Sequence, residues 1–169
     1  MLTRAELLGQ IMRNYDTPVA ISGTHGKTTT TSMVSHILLA GDCDPTISVG
    51  GILPAIGGNI RVGNSETFVT EACEYTNSFL SVFPKISIIL NMDADHLDFF
   101  KDIDDIRHSF RRFAELLPAD GTLIINADTP KYEDIIRDLP CNVITYGLEH
   151  DADYQAADIT YDKYGHASF

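Results

Sequence analysis

An α/β fold with a mainly parallel sheet flanked by helices is what this chain predicts, and three observations carry the prediction. Short runs rich in Val and Ile alternate with amphipathic stretches from one end to the other. A glycine-containing loop joins the first such run to a long helical stretch. The later runs end on Glu, Asn and Asp. Parallel strands need helical crossovers, and open sheets of this kind bind ligands beyond the carboxyl ends of their strands, so the three observations describe one architecture.

Residues 4–15 read as an amphipathic helix through Leu7, Leu8, Ile11 and Met12, and residues 18–22 as the first strand. The helix that follows the loop ends near Gly41. Residues 46–49 read as a short strand. Gly50, Gly51, Gly57, Gly58 and Gly63 mark the next stretch as loop, with short strand character around residues 60–62. Residues 67–70 form a buried strand that ends at Glu71, and a helix over residues 76–83 stops at Pro84. Residues 85–90 are the most strand-like of all. Then come helix 102–117, strand 121–126, helix 130–139 and strand 143–146. The tail from residue 158 onward, with its Tyr164-Gly165 turn, reads as a β-hairpin that the chain leaves unfinished.

The 169 residues, 44% of them hydrophobic, suit one well-packed domain. No apolar run is long enough to span a membrane, and Arg4, Glu6 and Arg13 break up any signal-like start, so a soluble, cytoplasmic protein without membrane attachment is expected. Cys43, Cys73 and Cys141 lack metal-site spacing and read as small buried side chains. A net charge of −12 repels a phosphate backbone. The one basic cluster, Arg107, His108, Arg111 and Arg112, lies on the face of a helix opposite Ile106, Phe110 and Phe113, and reads as a solvated face and not as a nucleic-acid site.

Ser22-Gly23-Thr24-His25-Gly26-Lys27-Thr28-Thr29 joins strand to helix in the order a phosphate loop requires. Backbone N–H groups of such a loop converge on one spot at a positive helix terminus, which attracts anions. Lys27 adds a mobile cation for the outer phosphates, and Thr28 a hydroxyl of the kind that holds Mg²⁺. The motif is shorter than the full phosphate-loop pattern, since Ile21 stands where its first glycine belongs. The expected architecture is thus a P-loop-type mononucleotide-binding fold. Glu71 and Glu74, then Asn91 to Asp98 with His96, then Asn126 and Asp128 end the successive strands and gather at the same edge as the loop. Oxygen ligands there suit Mg²⁺.

In its Gly-Thr-His-Gly-Lys-Thr-Thr-Thr-Thr (23–31), Glu-Ala-Cys-Glu-Tyr (71–75), Asn-Met-Asp-Ala-Asp-His-Leu-Asp (91–98) and Asn-Ala-Asp (126–128) segments, the chain resembles the central ATP-binding domain of the Mur ligases of peptidoglycan synthesis. The resemblance implies ATP-dependent amide formation through an acyl phosphate. It implies that Gly23, Thr24, His25, Gly26, Lys27, Thr28 and Thr29 cradle the nucleotide, with His25 facing the muramoyl substrate. Lys27, Glu71 and His96 become the catalytic set; Thr28 and Glu71 hold the Mg²⁺ of ATP, and His96 a second ion. Asn126 and Asp128 contact adenine and ribose, while Asn91 and Glu74 orient the ligands.

The histidine in the loop and the Asp95-His96-Leu97-Asp98 run resemble the branch that adds L-alanine to UDP-N-acetylmuramate, with the tripeptide-recycling branch beside it. Several relatives carry a carbamylated lysine on the helix after the histidine motif; here that helix offers Arg107, Arg111 and Arg112, so no carbamate is expected. The family's flanking N- and C-terminal domains have no counterpart in residues 1–169, which implies one central domain of a longer ligase, inactive in ligation by itself. A nucleotide-binding regulatory module without ligase activity explains the loop equally well but leaves Glu71 and His96 without a role.

Overall fold

A computed structural model describes all of residues 1–169. Strands β1 (Thr17–Ser22), β2 (Thr46–Leu53), β3 (Gly58–Arg61), β4 (Thr67–Glu71), β5 (Ile86–Ile89), β6 (Thr122–Asn126), β7 (Asn142–Gly147) and β8 (Tyr154–Gln155) form one sheet in the order β3-β2-β4-β1-β5-β6-β7-β8. Every neighbouring pair is parallel except β2 with β3. Strand β1 lies between β4 and β5, so the chain builds away from it in both directions. That reversal of strand order leaves a crevice at the carboxyl end of β1, where ligands of open α/β sheets bind.

Helices α1 (Arg4–Met12), α3 (Ile103–Ala114) and α4 (Tyr132–Ile136) cover one face and α2 (Lys27–Ala40) the other. Alternation along β1 decides which residues face which layer: Val19 and Ile21 meet Val34 and Leu38 of α2, while Ala20 joins the larger core. In that larger core Ile106, Phe110 and Phe113 recur at helical spacing on α3 and are fully buried, and Phe113 stacks on Phe79 with ring centroids 4.7 Å apart. Each such side chain contributes roughly 2 kcal/mol on burial, so α3 is held by packing rather than by helix propensity. Its start is set by Asp102, whose side chain accepts from the Asp105 N–H. In the same way Thr3 and Glu6 close a reciprocal cap on α1.

Four expectations need correction, and one short strand lies outside them. Strand β2 does not stop at residue 49; it runs on through Gly50 and Gly51 to Leu53 and returns as antiparallel β3, because both glycines lie in extended backbone beside the site and not in a turn. Residues 76–83 do not form an α-helix: a 3-10 segment spans Tyr75–Ser81, with Thr76 and Asn77 in the left-handed region. Strand β8 carries only two residues, too few for a periodic signal. Cys43 and Cys73 are exposed, and only Cys141 is buried. Arg107 and Arg111 are not simply solvated: Arg107 pairs with Asp104 at 2.7 Å, and Arg111 donates to the Ile135 carbonyl (2.9 Å) and to that of Arg137, tying α3 to the end of α4. The terminal hairpin forms from β9 (Thr160–Tyr161) and β10 (Ala167–Ser168), both exposed. No helix is long and apolar enough to cross a membrane.

Candidate functional site

The loop between β1 and α2 is fixed by the neighbouring strand end. Asn91 holds it from both sides: its Oδ1 accepts from the His25 N–H (2.8 Å), its Nδ2 donates to the His25 carbonyl (3.0 Å), and its own carbonyl accepts from the Thr24 N–H (3.2 Å). The Thr24 hydroxyl accepts from the Asp93 N–H at 2.9 Å. Gly23, at φ +144°, passes so close to β5 that a Cβ there would lie 2.9 Å from the Leu90 Cβ, and Gly26 begins α2 at φ +84°. Gly23 leaves no room for a side chain, and the left-handed backbone at Gly26 favours glycine. No side chain caps α2 and no acid lies in its first turn, so the amides at its start face the crevice. The side chains of Thr28 and Thr29 are exposed beside them.

Two carboxylates end β4, and they are held in opposite ways. Glu71 accepts from the Thr28 hydroxyl (3.0 Å) and from the Gly50 N–H (2.5 Å). A Cβ on Gly50 would stand 2.8 Å from Glu71 Oε2, so a larger residue there displaces the Glu71 carboxylate. Glu74 is 2% exposed, and the Lys27 ammonium sits on both its oxygens at 2.8 and 3.1 Å. On the far side His96 Nε2 stands 3.6 Å from Glu74 Oε1. The His96 ring packs on Tyr75 with centroids 4.5 Å apart, and the Tyr75 hydroxyl donates to Asp98 at 2.7 Å. That bond to an anion pushes the Tyr75 phenol above its ordinary range. His96 itself is in the left-handed region at φ +54°, as are Thr76 and Asn77 opposite.

Thr28 with Glu71, and Lys27 with Glu74 and the nearby His96, therefore form two sets of contacts at one sheet edge, to which the loop, the end of β4 and the segment after β5 each supply part. Asn126 reaches the same edge: its Nδ2 donates to the Leu90 carbonyl at 3.2 Å. Asp128 does not turn toward the loop. Its carboxylate accepts from the N–H groups of Leu148, Glu149 and His150 at 2.6, 3.1 and 2.9 Å, and these bonds hold its pKa well below the usual carboxylate range. A cavity of about 310 Å³ lies against Glu71 on the α1 side, bounded by Arg4, Ser48, Cys73 and Phe79. No three His, Cys, Asp or Glu side chains approach closely enough to hold a metal by themselves.

Gly50 is the functional residue that sequence reading placed in a loop; the signal was its position directly after a strand, level with the end of β4. The pairing of Lys27 with Glu74 was equally absent from the sequence, because the two lie in different elements.

Residues 21–169 match the Mur ligase middle domain. The chain is 63% identical over 169 residues to the UDP-N-acetylmuramate–L-alanine ligase of Agathobacter rectalis and 64% identical over 170 residues to that of Lachnospira eligens, covering 100% of this chain and 37% of each relative. It thus spans little more than a third of the relatives' length. Among solved structures it superposes on UDP-N-acetylmuramate:L-alanyl-γ-D-glutamyl-meso-diaminopimelate ligase from Neisseria meningitidis with TM-score 0.83 and 25% identity, over 95% of this chain and 54% of that one. The UDP-N-acetylmuramate–alanine ligase of Thermotoga maritima gives 0.76 and 26%, over 92% of this chain and 34% of that one. On sequence and fold together, the chain belongs to the Mur ligase middle-domain family.

Proposed function

We propose that this chain is the ATP- and Mg²⁺-binding part of a cytoplasmic ligase that joins L-alanine to UDP-N-acetylmuramate in peptidoglycan precursor synthesis. The observation that carries the reading is the Thr28–Glu71 pair, 3.0 Å apart beside an uncapped helix start. A hydroxyl and a carboxylate are the few hard-oxygen ligands that Mg²⁺ takes from a protein when phosphate oxygens supply others. The relatives named for this reaction, at 63 and 64% identity, support the choice of substrates.

A carboxylate has no good leaving group. In the proposed reaction its oxygen takes the γ-phosphoryl group of ATP and ADP departs; the amine of L-alanine then attacks the acyl phosphate, loses a proton and expels inorganic phosphate. The protein's part is to position the reactants and stabilise charge. Gly23, Thr24, His25, Gly26 and Thr29 cradle the nucleotide, and Lys27 steadies its β and γ phosphates. Thr28 and Glu71 would hold Mg²⁺, which when bound would offset phosphate charge; His96 would hold a second ion, and Asn91 keeps the loop in shape. Asn126 lies at the adenine end; Asp128 borders the nucleotide through the 148–150 turn it organises.

Titrating ATP into the chain with and without Mg²⁺ tests the nucleotide site: Mg²⁺-dependent binding is expected, and its absence overturns the reading. The full-length ligase containing this domain is expected to release ADP and phosphate with UDP-N-acetylmuramate and L-alanine. The recycling alternative, favoured by the likeness at TM-score 0.83, requires instead that a free tripeptide replace L-alanine.

A further inference from the structure

All three protons of the Lys27 ammonium already have acceptors within the protein. They are taken by the Gly23 carbonyl (2.6 Å), the Thr24 carbonyl (3.2 Å) and the Glu74 carboxylate (2.8 Å). The side chain that a nucleotide needs over its outer phosphates is thus already committed, and the strongest of its partners is an anion. Glu74 is 2% exposed, so water does not compete for it. If Lys27 leaves, the nearest remaining donor is His96 Nε2 at 3.6 Å, beyond hydrogen-bond reach. Removing a cation from a buried carboxylate is unfavourable.

We propose that Glu74 is a positioning residue that restrains Lys27 and competes with the outer phosphates of the nucleotide for its charge. The proposal rests on the nucleotide-binding reading above and adds a sign to it. An acid so near a phosphate loop lowers nucleotide affinity, because part of the gain from the Lys27–phosphate contact replaces the Lys27–Glu74 contact. The same restraint keeps the ammonium ordered at the floor of the loop in the free protein, so that release of product returns Lys27 to a fixed place. A merely structural Glu74 has the opposite signature: its loss disorders Lys27 and weakens nucleotide binding.

The test is calorimetric titration of Mg²⁺–ADP and Mg²⁺–ATP into the 169-residue chain and into Glu74→Gln, Lys27→Ala and the double variant, with a thermal melt of each. Glutamine keeps the shape and a neutral acceptor while removing the charge. The expected result is about tenfold tighter nucleotide binding by Glu74→Gln, the scale of one charge-assisted hydrogen bond no longer broken. In the Lys27→Ala background the same change is expected to leave affinity unaltered, since the competition acts only through Lys27. Unchanged or weaker binding by a folded Glu74→Gln overturns the proposal, as does equal tightening with and without Lys27. If Glu74→Gln does not fold, Glu74→Asp is read instead: its shorter reach loosens the contact, tighter binding supports the restraint, and unchanged or weaker binding overturns it. Normal affinity in Lys27→Ala, or no binding by the parent chain, overturns the phosphate-loop reading itself.

Discussion

Glu71 and Glu74 stand three residues apart at the end of the same strand, yet their surroundings share nothing. Glu71 is partly exposed and meets only neutral donors, the Thr28 hydroxyl and the Gly50 amide. Glu74 is buried and meets the Lys27 ammonium, with the His96 imidazole beyond it. A carboxylate held by neutral donors keeps its charge available, and a cation brought in by a ligand adds to the arrangement without displacing a counter-ion. A buried carboxylate paired to a lysine has its charge spent, and anything that draws the lysine away must compensate it. One acid is thus suited to take up a metal, the other to control a cation already present.

The largest effect is expected from breaking the buried pair. Lys27→Ala leaves Glu74 without a cation in a site water does not reach, at a cost of roughly 3 kcal/mol, which lowers the melting temperature by roughly 6–12 °C for a chain of this size. Nucleotide binding weakens with it but stays measurable by titration. Lys27→Ala combined with Glu74→Gln should recover most of the stability and none of the binding. Equal melting temperatures for the single and double variants show that Glu74 does not need its partner, and the contrast between the two acids disappears.

Changes at Glu71 should act the other way, on ligand and not on fold. Glu71→Ala removes an acceptor from two neutral donors that water reaches, so stability shifts by about 1 kcal/mol or less, while Mg²⁺-dependent nucleotide binding weakens about tenfold or more. Gly50→Ala reports on the same carboxylate from outside: its Cβ stands 2.8 Å from Oε2 and forces Glu71 off its position. Titrations at high and low Mg²⁺ separate these outcomes. Loss of the fold in Glu71→Ala, or nucleotide affinity indifferent to Mg²⁺ in the parent, removes the distinction.

His96→Ala sharpens the comparison from the far side of Glu74. Its imidazole stands too far from Glu74 to substitute for Lys27, so nucleotide binding by the chain should change less than threefold. Ligation by the full-length enzyme should fall much further if His96 holds the proposed second ion, because a metal that offsets developing charge acts in the transition state and its loss reduces kcat more than it raises KM. A large loss of nucleotide affinity in His96→Ala reverses the roles given to His96 and Glu71.

Most of the parallel sheet, the glycine loop between β1 and α2 and the acids near the strand ends were legible in the sequence, because each is written in local periodicity or a contiguous motif. What Glu74 does was not. Its partner lies 47 residues away, and only the parallel pairing of β1 with β4 brings the two elements level. Gly50 was misread for the converse reason: glycine in a sequence signals a turn, and here it signals the close approach of a carboxylate. The 3-10 segment Tyr75–Ser81 was read as a helix because its apolar spacing is helical; its left-handed Thr76 and Asn77, the latter bonded to Ser109 of α3, reflect tertiary contact. The Asp128 carboxylate was legible as a residue and not as an orientation.

Asp128 supplies the smallest effect and extends the comparison, since backbone amides foremost, with the His150 Nδ1 at 3.0 Å beside them, hold its charge. Three backbone amides of the 148–150 turn point at it, and those of Leu148 and His150 are foremost in holding its pKa below the ordinary aspartate value near 4. A carboxyl more acidic in the folded than in the unfolded chain stabilises the fold while ionised. That contribution is complete above about pH 4, and it is lost as the pH falls from there toward the depressed value and the folded state finally takes up the proton. Asp128→Asn should therefore be less stable than the parent at pH 7, because an amide cannot accept from three N–H groups with its nitrogen side facing them. The gap between the two melting temperatures should narrow as the pH drops below about 4. The amide resonances of Leu148 and His150 should move in the parent only at the acid end of that range, where the folded state takes up the proton. A gap that stays constant down to acid pH assigns the loss to packing alone, and the parallel between Asp128 and Glu71 then fails.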